Sequence, residues 1–333
     1  MKVRWLTVGL FLILLGTCIG PVIAQNIEKQ PRSTLGGKWW YVGGTGPGNY
    51  TIIQDAVDNA SNGDTVFVYH GTYNQDPHLL QCVTIEKSIS LIGEDKNTTI
   101  IKGCRIGDVI TEVAGNVTIT GFTLENGGAG NNPGAAINIF KSNGMGTISN
   151  ILIHDNIIAY NGRGMNMFDC NNASCYNNIF LEDGGGCVVM SSVHCSIIHN
   201  QFLRNNPAGL AIWTEDYTNY INISDNEYKD CANGLTIDTS MGLTIHANNF
   251  INNTYQVYFK KDLAFLGLLR SAPLYKQHWS QNYWSDWNST KPRPIPGILH
   301  ILFGGIFGLE YPLPVPVREY DPDPVQNPYN YFP

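Results

Sequence analysis

The feature that most constrains this chain is a short phrase that returns at a fixed spacing. Residues 151–164 read ILIHDNIIAYNGRG and residues 243–253 read LTIHANNFINN, so one Ile-His-x-Asn pattern appears twice. Five segments align on an asparagine, with steps of 22, 22, 26 and 22 residues: Asn156, Asn178, Asn200, Asn226 and Asn248. A fixed period with fixed apolar positions predicts a repeat architecture in which each repeat stacks on its neighbours.

The residues around each asparagine predict the form of one repeat. Inward positions three and five upstream are Ile153, Cys175, Ile197, Ile223, Ile245 and Ile151, Ala173, Cys195, Ile221, Leu243. Five positions downstream come Asn161, Asp183, Asn205, Cys231 and Asn253, and a second alternating segment then opens at Gly164, Gly186, Gly209 or Gly234. Short period-2 segments joined by Asn and Gly turns exclude a helical solenoid. We therefore predict an all-β fold, a parallel β-helix with coils stacked about 4.8 Å apart and the asparagines forming a ladder at a bend.

Less regular coils are predicted upstream, in residues 65–71, 83–93, 98–103, 108–122 and 134–140. Before them, Thr51 and Gln54 predict a capping box that opens a short amphipathic helix ending at Asn62-Gly63. Its apolar face would consist of Ile53, Ala56, Val57 and Ala60. Such a helix would plug the open end of the stack. Cys82 and Cys104 are 22 residues apart, one coil in this register, which makes them the candidate disulfide.

Both ends of the chain differ in composition from the repeats. Lys2 and Arg4 precede a short apolar run, and Ala24 suits a signal peptidase, so residues 1–24 are predicted to be a secretory signal peptide; an uncleaved anchor is the alternative. We assign residues 25–48 to a lead-in, 49–262 to the β-helix and 263–333 to a Pro- and Trp-rich segment that covers the last coil. Its apolar stretch Ile298–Leu309 is too short to span a bilayer, and contact with a membrane surface or a partner is the second interpretation.

The charge of the chain limits its partners. Removing Lys2 and Arg4 with the signal takes the formal charge from −7 to −9, and no basic run remains, which argues against nucleic acid or anionic lipid as a partner. The chain has eight N-x-Ser/Thr sequons, including those at Asn49 and Asn59, and six of them are candidate glycosylation sites: Asn97, Asn116, Asn172, Asn222, Asn252 and Asn288. We expect a secreted or cell-surface protein.

The stretch YTIIQDAVDNASNGDTVFVYHGTY, the Asn-Gly coils and the tail from NYW to KPRPIPG resemble secreted right-handed parallel β-helix proteins. They are similar to the NosD-like members of the pectin-lyase-like superfamily, of the archaeal surface-protein type. The resemblance implies the right-handed form of the fold. It leaves the activity open, because the superfamily includes polysaccharide lyases, glycosidases, uronate epimerases, adhesins and proteins without known chemistry. NosD proteins are implicated in copper-site assembly, which would require clustered His, Met or Cys.

The catalytic and metal signatures of such proteins are incomplete in this chain. The sequence Asp76-Pro77-His78-Leu79 lacks the final Glu that uronate epimerases carry. His154 and His246 share a register but lie four coils apart, with His199 one position off it, so we predict no metal site. Glu182, Arg204 and Asp230 alternate in sign on successive coils, which favours a salt-bridge ladder over a catalytic centre. We expect no cofactor, except Ca²⁺ if the protein is a lyase.

One outward column is the candidate binding site. The position four after each repeat glycine, or its equivalent, holds Phe168, Met190, Trp213, Asp238 and Lys260, called the Trp213 column below. Three large apolar residues in a row outside a β-helix are unusual, and Glu215, Asp216 and Tyr217 follow Trp213. An aromatic ring beside carboxylates suits a sugar ring. The alternative is that the Pro- and Trp-rich tail folds back over the column.

These observations favour a non-catalytic protein that binds polysaccharide or a cell-envelope glycan. The alternative is a polysaccharide lyase, glycoside hydrolase or uronate epimerase that uses acidic residues of the central coils on an acidic polysaccharide. A copper-delivery accessory protein is the second alternative.

Overall fold

The structure is a computed structural model that describes residues 37–74, 76, 81–112, 114–128, 134–140, 146–213, 220–264, 276–302 and 312–332. Within them the chain winds as a right-handed parallel β-solenoid of about 8 turns, and the one helix described is short. The predicted fold class is confirmed. The signal peptide, the Pro77–Leu79 part of the epimerase-like motif, Glu215, Asp216 and residues 303–309 lie outside the described residues.

Three sheets form the walls, and each complete coil passes through sheet A, then B, then C. Sheet A contains β1 (Trp39–Val42), β2 (Thr65–Val68), β5 (Ser90–Gly93), β8 (Thr118–Thr120), β12 (Leu152–His154), β16 (Ser174–Tyr176), β19 (Ser196–Ile198), β22 (Asn222–Ser224), β25 (Thr244–His246) and β28 (His278–Ser280). Sheet B contains β3 (Gly71–Asn74), β6 (Thr99–Lys102), β9 (Thr123–Glu125), β13 (Ile157–Ala159), β17 (Ile179–Leu181), β20 (Gln201–Leu203), β23 (Glu227–Lys229), β26 (Asn249–Ile251) and β29 (Tyr283–Trp284). Sheet C contains β4 (Gln81–Ile85), β7 (Asp108–Glu112), β10 (Ala135–Ile139), β14 (Arg163–Phe168), β18 (Cys187–Met190), β21 (Ala208–Trp213), β24 (Asn233–Asp238), β27 (Tyr255–Ala264), β30 (Arg293–Leu302) and β31 (Leu313–Asp321). A corner pair consists of β11 (Ile148–Ser149) and β15 (Cys170–Asn171).

The register between coils is the predicted one. Ile197 pairs with Ile223 across the 26-residue step, and Ile223 pairs with Ile245 across the next. The inward residues of the five repeats are buried. From β12 to β28, each strand of sheet A is followed by a residue in the left-handed region, for example Asn177 at φ 58° and Asp225 at φ 58°. Asparagine and aspartate tolerate that conformation better than most residues, which suits them to this bend.

The repeat asparagines form the predicted ladder at the bend between sheets A and B. Asn200 Nδ2 donates to the carbonyls of Cys175 and Ile198 and to Asn226 Oδ1, at 2.9, 3.0 and 3.1 Å, and Asn200 Oδ1 accepts from the backbone and side chain of Asn178. The ladder runs further than the sequence indicated, because Asn248 donates to Asn282 and Asn282 to the carboxylate of Asp321. Each buried amide thus satisfies its hydrogen-bonding groups within the stack.

Aromatic rings stack inside sheet B directly beside this ladder. The column consists of Phe180, Phe202, Tyr228, Phe250 and Trp284, with successive ring centroids 4.8, 5.0, 4.9 and 4.4 Å apart. The repeat glycines face these rings. A Cβ on Gly164 would lie 2.3 Å from the carbonyl oxygen of Gly186 and 2.8 Å from the ring of Phe180, so glycine is required where sheet C begins.

The N-terminal end is covered by helix α1 (Ile53–Asn59), as predicted, with Ile53, Ala56 and Val57 buried. The capping box is wrong: the N-cap is Ile52, and no side chain caps the helix. Gln54 instead joins the helix to the first strand of sheet C, accepting a 2.7 Å hydrogen bond from the Thr84 amide. The helix ends at Asn59, before the predicted Asn62-Gly63, and Lys87 Nζ donates to the last carbonyls, at 2.6 Å for Asp58.

The C-terminal end is closed by β30 and the antiparallel strand β31, which continue sheet C. Glu319 and Asp321 on β31 turn inward, where Glu319 contacts Lys261 and accepts from the Trp279 indole at 2.6 Å. The last residues then lie along the corner between sheets A and B, where Tyr331 OH donates to Asp225 at 3.0 Å and Phe332 packs on His199. None of these described contacts covers the Trp213 column, so the interpretation that the tail folds back over the column is wrong for the described residues.

The predicted stacking of Cys82 on Cys104 is also wrong. In β4, Gln81 pairs with Asp108 and Val83 with Ile110, so the coil step at this point is 27 residues. Cys104 follows β6 of sheet B, and no disulfide joins it to Cys82. The early coils are longer than the 22-residue repeat, and the spacing measured in the later coils does not apply to them.

Candidate functional site

The Trp213 column lies on the outer face of sheet C in the predicted register. Phe168 pairs with Met190, Met190 with Trp213, Trp213 with Asp238 and Asp238 with Lys260. Interior neighbours such as Met167 and Ile212 are at most 1% exposed, whereas Trp213 is 50% exposed. The column therefore presents the Trp213 ring to solvent. Apolar Met190 lies on one side of it and charged Asp238 on the other.

The charged part contains two carboxylates around one ammonium. Lys260 Nζ lies 3.3 Å from Asp238 Oδ2 and 3.3 Å from Asp262 Oδ2, and Asp262 Oδ1 contacts His300 Nδ1 at 3.0 Å. Burial alone would lower the pKa of Lys260, but the charges and hydrogen bonds of the two aspartates raise it above its ordinary value. Lys260 therefore remains a cation and is unsuited to act as a general base.

A second outward column runs beside the first on the same strands. It consists of Thr111, Asn138, Asn166, Val188, Ala211, Thr236 and Tyr258, and we call it the Asn166 column. Tyr258 is 39% exposed, and it follows Thr236 on the next coil. The two columns together place Trp213 and Tyr258 on either side of Asp238 and Thr236. Sequence reasoning missed this column because its residue types change from coil to coil.

The first residues of the Asn166 column form a chain of hydrogen bonds in which each amide nitrogen donates to the preceding coil. Asp108 Oδ2 accepts from Asn138 Nδ2 at 2.8 Å and from the Thr111 hydroxyl at 3.2 Å. Asn138 Oδ1 in turn accepts from Asn166 Nδ2 at 3.4 Å. Asn166 is only 3% exposed although it lies on the outer side of the sheet. The sheet thus carries polar groups that are shielded from bulk water, two residues from the half-buried ring of Phe168.

The other candidate charged groups do not form a catalytic centre in the described residues. Arg204 Nε contacts Glu182 Oε1 at 2.8 Å, which confirms one step of the predicted salt-bridge ladder, but no described ion pair continues it to Asp230. Asp183 is buried in the second ladder of polar residues, where its Oδ1 accepts from Asn161. Burial raises the pKa of Asp183 well above its ordinary value, and the hydrogen bonds from Asn161 offset this only in part. Asp183 is inside the solenoid, where no substrate reaches it.

The described cysteine and histidine side chains give no metal centre either. Among the described residues, no three His, Cys, Asp or Glu side chains lie close enough to hold an ion. His154 stacks on Tyr176 with ring centroids 4.7 Å apart, and His199 packs on the C-terminal Phe332. Burial raises the pKa of Cys175 to about 12 and that of Cys195 to about 11, which keeps these thiols protonated at neutral pH.

A cluster of aromatic residues at the N-terminal end was not found from the sequence. Trp39 and Tyr41 on β1 are 49% and 39% exposed on the outer face of sheet A. Phe67 and Tyr69 lie against them, with Tyr41 and Tyr69 ring centroids 6.1 Å apart. The aromatic residues at alternate positions in and directly after β1 and β2 could have indicated this cluster from the sequence. The cluster has no charged residue among its four rings, unlike the face of sheet C.

The candidate glycosylation sites differ in access. Asn97, Asn116, Asn172, Asn252 and Asn288 are exposed, whereas Asn222 is half-buried in β22. Asn116 and Asn172 belong to an external amide ladder, since Asn172 Nδ2 donates to Asn150 Oδ1 and Asn150 Nδ2 to Asn116 Oδ1. The five exposed sites are open to modification, which stays a prediction.

Three solved structures are similar to this chain at low identity. A polygalacturonase from Erwinia carotovora ssp. carotovora is 12% identical, with a TM-score of 0.46, over 80% of this chain and 91% of that one. The A-module of the Azotobacter vinelandii mannuronan C-5 epimerase AlgE4 is 13% identical, with a TM-score of 0.39, over 69% and 82%. The pectin methylesterase PemA from Erwinia chrysanthemi is 9% identical, with a TM-score of 0.29, over 72% and 92%. These likenesses are too distant to carry an argument about activity.

The family comparison covers most of the coils. No curated protein matches the chain. The family model described as "Periplasmic copper-binding protein (NosD)" matches residues 57–289, from helix α1 to the loop that follows β29. No described helix is long and apolar enough to cross a membrane. With a match over more than half of its length, the chain belongs to the NosD family.

Proposed function

We propose that this protein is a non-catalytic carbohydrate-binding protein that works outside the cytoplasm and holds polysaccharide on the outer face of sheet C. The half-exposed ring of Trp213, set between Met190 and Asp238, is the observation on which the proposal depends. The indole ring is a large apolar surface open to solvent, and its flat face suits the C–H face of a sugar.

The surroundings of Trp213 favour a saccharide over a purely apolar partner. Asp238 and Asp262 offer acceptors for sugar hydroxyl groups, and the ammonium of Lys260 between them offers donors. Two carboxylates outnumber the one ammonium, so we expect neutral polysaccharides to bind better than polyuronates. Glu215 and Asp216, predicted to take part, lie outside the described residues.

The same contacts favour binding over catalysis. A general base needs a pKa near the working pH, and the pKa of Lys260 is raised away from it. The carboxylates of Asp238 and Asp262 are both engaged with Lys260. The polysaccharide lyase, hydrolase or epimerase remains the alternative proposal, and Ca²⁺ would belong to the lyase form of it.

Copper delivery has less support in the described residues. The family description names copper, but the buried thiols are held protonated and the described histidines are dispersed. The described residues do not fit a copper centre.

Affinity electrophoresis tests the proposed function. The protein would be run through gels that contain xylan, hydroxyethyl cellulose, alginate or polygalacturonate, together with the variants W213A and Y255A. Tyr255 is 63% exposed and serves as the matched aromatic control. We expect retardation by at least one neutral polysaccharide and about a tenfold loss of affinity in W213A, with Y255A unchanged.

Two results would reject the proposal. Equal mobility of the wild-type protein with and without all four polysaccharides would remove carbohydrate binding. Unsaturated products or shortened chains after incubation would favour the enzyme instead.

A further inference from the structure

The corner where sheet C passes into sheet A carries a column of residues whose type changes halfway along the solenoid. Each member lies two residues before a strand of sheet A and has a positive φ: Asn116, Asn150, Asn172, His194, Tyr220 and Gly242, at 58°, 61°, 58°, 54°, 45° and 69°. The three asparagines are joined by hydrogen bonds between their side chains. His194 and Tyr220 then replace the amides with rings, and we call these two residues the corner ring pair.

The backbone of this corner gives no reason for the two rings. Asparagine and glycine adopt the left-handed conformation at low cost, whereas a residue with a large side chain is strained there. Gly242 occupies the next position of the column, so the chain turns this corner without any side chain. The corner ring pair therefore lowers stability, and residues held under such strain are typical of functional sites.

The corner ring pair forms a flat surface that faces water. The two rings are nearly parallel, at 3°, with centroids 5.5 Å apart. Tyr220 is 63% exposed, and His194 is exposed as well. His194 Nδ1 lies 3.3 Å from Asn171 Oδ1, which orients the imidazole. Because the rings stack from one coil to the next, His194 supports one face of Tyr220 and the other face is turned toward the coil of Gly242.

That other face of Tyr220 borders an open slot. A Cβ added to Gly242 would meet no described atom within 4 Å. Exposed Lys276 takes the column position one coil further on, because Thr244 pairs with His278. Tyr220 and Lys276 are thus two coils apart, about 10 Å at the strand spacing. Van der Waals contacts of about 3.5–4.0 Å on each side leave room for one saccharide ring between them.

The slot lies at the end of sheet C that carries Trp213. Trp213 is the last residue of β21, and Tyr220 lies two residues before β22 in the same coil. The two exposed rings therefore flank one corner of the solenoid. A chain of sugars that packs on Trp213 can turn this corner and place a later unit in the slot.

We propose that Tyr220, Gly242 and Lys276 form a second sugar subsite, in which a saccharide ring packs on the open face of Tyr220 and its hydroxyl groups accept hydrogen bonds from the Lys276 ammonium. His194 is a positioning residue that holds the Tyr220 ring. The inference rests on the proposed function and extends that site from the outer face of sheet C round the corner to sheet A. Its ligand is a polysaccharide chain that runs along the coil, across the corner, rather than up the solenoid.

The variants Y220N, H194N and Y160N test this subsite in the same four polysaccharide gels. Tyr160 is the matched control, because it has φ 61° and is 52% exposed but lies at the corner between sheets B and C. Asparagine relieves the left-handed strain in Y220N and Y160N alike, so we expect each to raise the melting temperature by about 1–3 °C. Retention is expected to weaken about fivefold in Y220N and about twofold to threefold in H194N, and to change less than about twofold in Y160N.

The outcomes separate this subsite from the proposed function. If W213A loses retention while Y220N and H194N keep it, the subsite is wrong but carbohydrate binding stands. Equal loss of retention in Y220N and Y160N would also reject the subsite, since the corner would then have no special role. A lower melting temperature of Y220N, or its failure to fold, would mean that the corner ring pair stabilises the fold and would overturn the inference. If the wild-type protein is not retained in any gel, both proposals fail.

Discussion

At the bend between sheets A and B the same amide recurs from Asn156 to Asn282, whereas on the outer face of sheet C the residue type changes at almost every coil from Thr111 to Tyr258. The two regions belong to the same coils and have the same spacing. Inside, each amide satisfies its neighbour, so repetition stabilises the stack. Outside, a change of residue leaves groups such as Asn166 Oδ1 without a partner. The interior sequence therefore specifies the fold, and the outer face of sheet C, where Trp213 is exposed, is where binding is expected.

The largest effect is expected from N200A in the interior ladder. Asn200 is fully buried, and its side chain is hydrogen-bonded to Cys175, Asn178, Ile198 and Asn226. Truncation leaves several buried groups unpaired, so the free energy of unfolding is expected to fall by about 3–5 kcal/mol. Urea denaturation measures it. N172A, in the exposed ladder, is the control. Equal destabilisation by the two variants would contradict the expected difference between the buried and the exposed ladder.

D183N tests whether the interior prefers an unbroken run of amides. Burial raises the folded-state pKa of Asp183, so the folded protein favours the neutral acid. The contribution of the neutral Asp183 side chain to stability is fully present below the ordinary pKa near 3.8. It is lost as the pH rises through the folded-state pKa. D183N should therefore stabilise the protein by about 1–3 kcal/mol at pH 7 and by much less at pH 4. Denaturation at both pH values checks this, and a gain that is independent of pH would be inconsistent with it.

Y228F is expected to stabilise the aromatic stack. The hydroxyl of Tyr228 is buried and lacks a partner between Phe202 and Phe250, although the ring stacks normally. Its removal should raise the free energy of unfolding by about 1 kcal/mol. Thermal denaturation gives the result. A loss of stability would mean that the hydroxyl has a hydrogen-bond partner and that the column has no break at Tyr228.

The smallest effect is expected from R204Q on the exterior. Arg204 and Glu182 form an ion pair, but their side chains are 53% and 41% exposed, so water and salt screen the attraction. We expect a change in unfolding free energy below about 0.5 kcal/mol in 0.15 M salt. A larger change would show that the side chains of the exterior columns also stabilise the fold.

The interior could be predicted from the sequence because its register repeats. The asparagine spacing located the ladder, the paired isoleucines and the outward position of Trp213. The capping box failed because the packing of Gln54 on Thr84 outweighed a local motif, and the pairing of Cys82 failed because early coils are 27 residues apart where 22 was assumed. The Asn166 column was missed for a different reason: its significance lies in the direction of hydrogen bonds, which no residue pattern records. For the same reason the end of the ladder at Asp321 could not be predicted.

Hydrogen–deuterium exchange in the presence of the best-retained polysaccharide tests the central claim most directly. It reports the strands of sheet C and the first strands of sheet A in one measurement. We expect added protection in residues 163–168, 187–190 and 208–213 of sheet C and none in residues 39–42 and 65–68 of sheet A. Protection confined to the aromatic residues at the start of sheet A, with sheet C unchanged, would contradict the account.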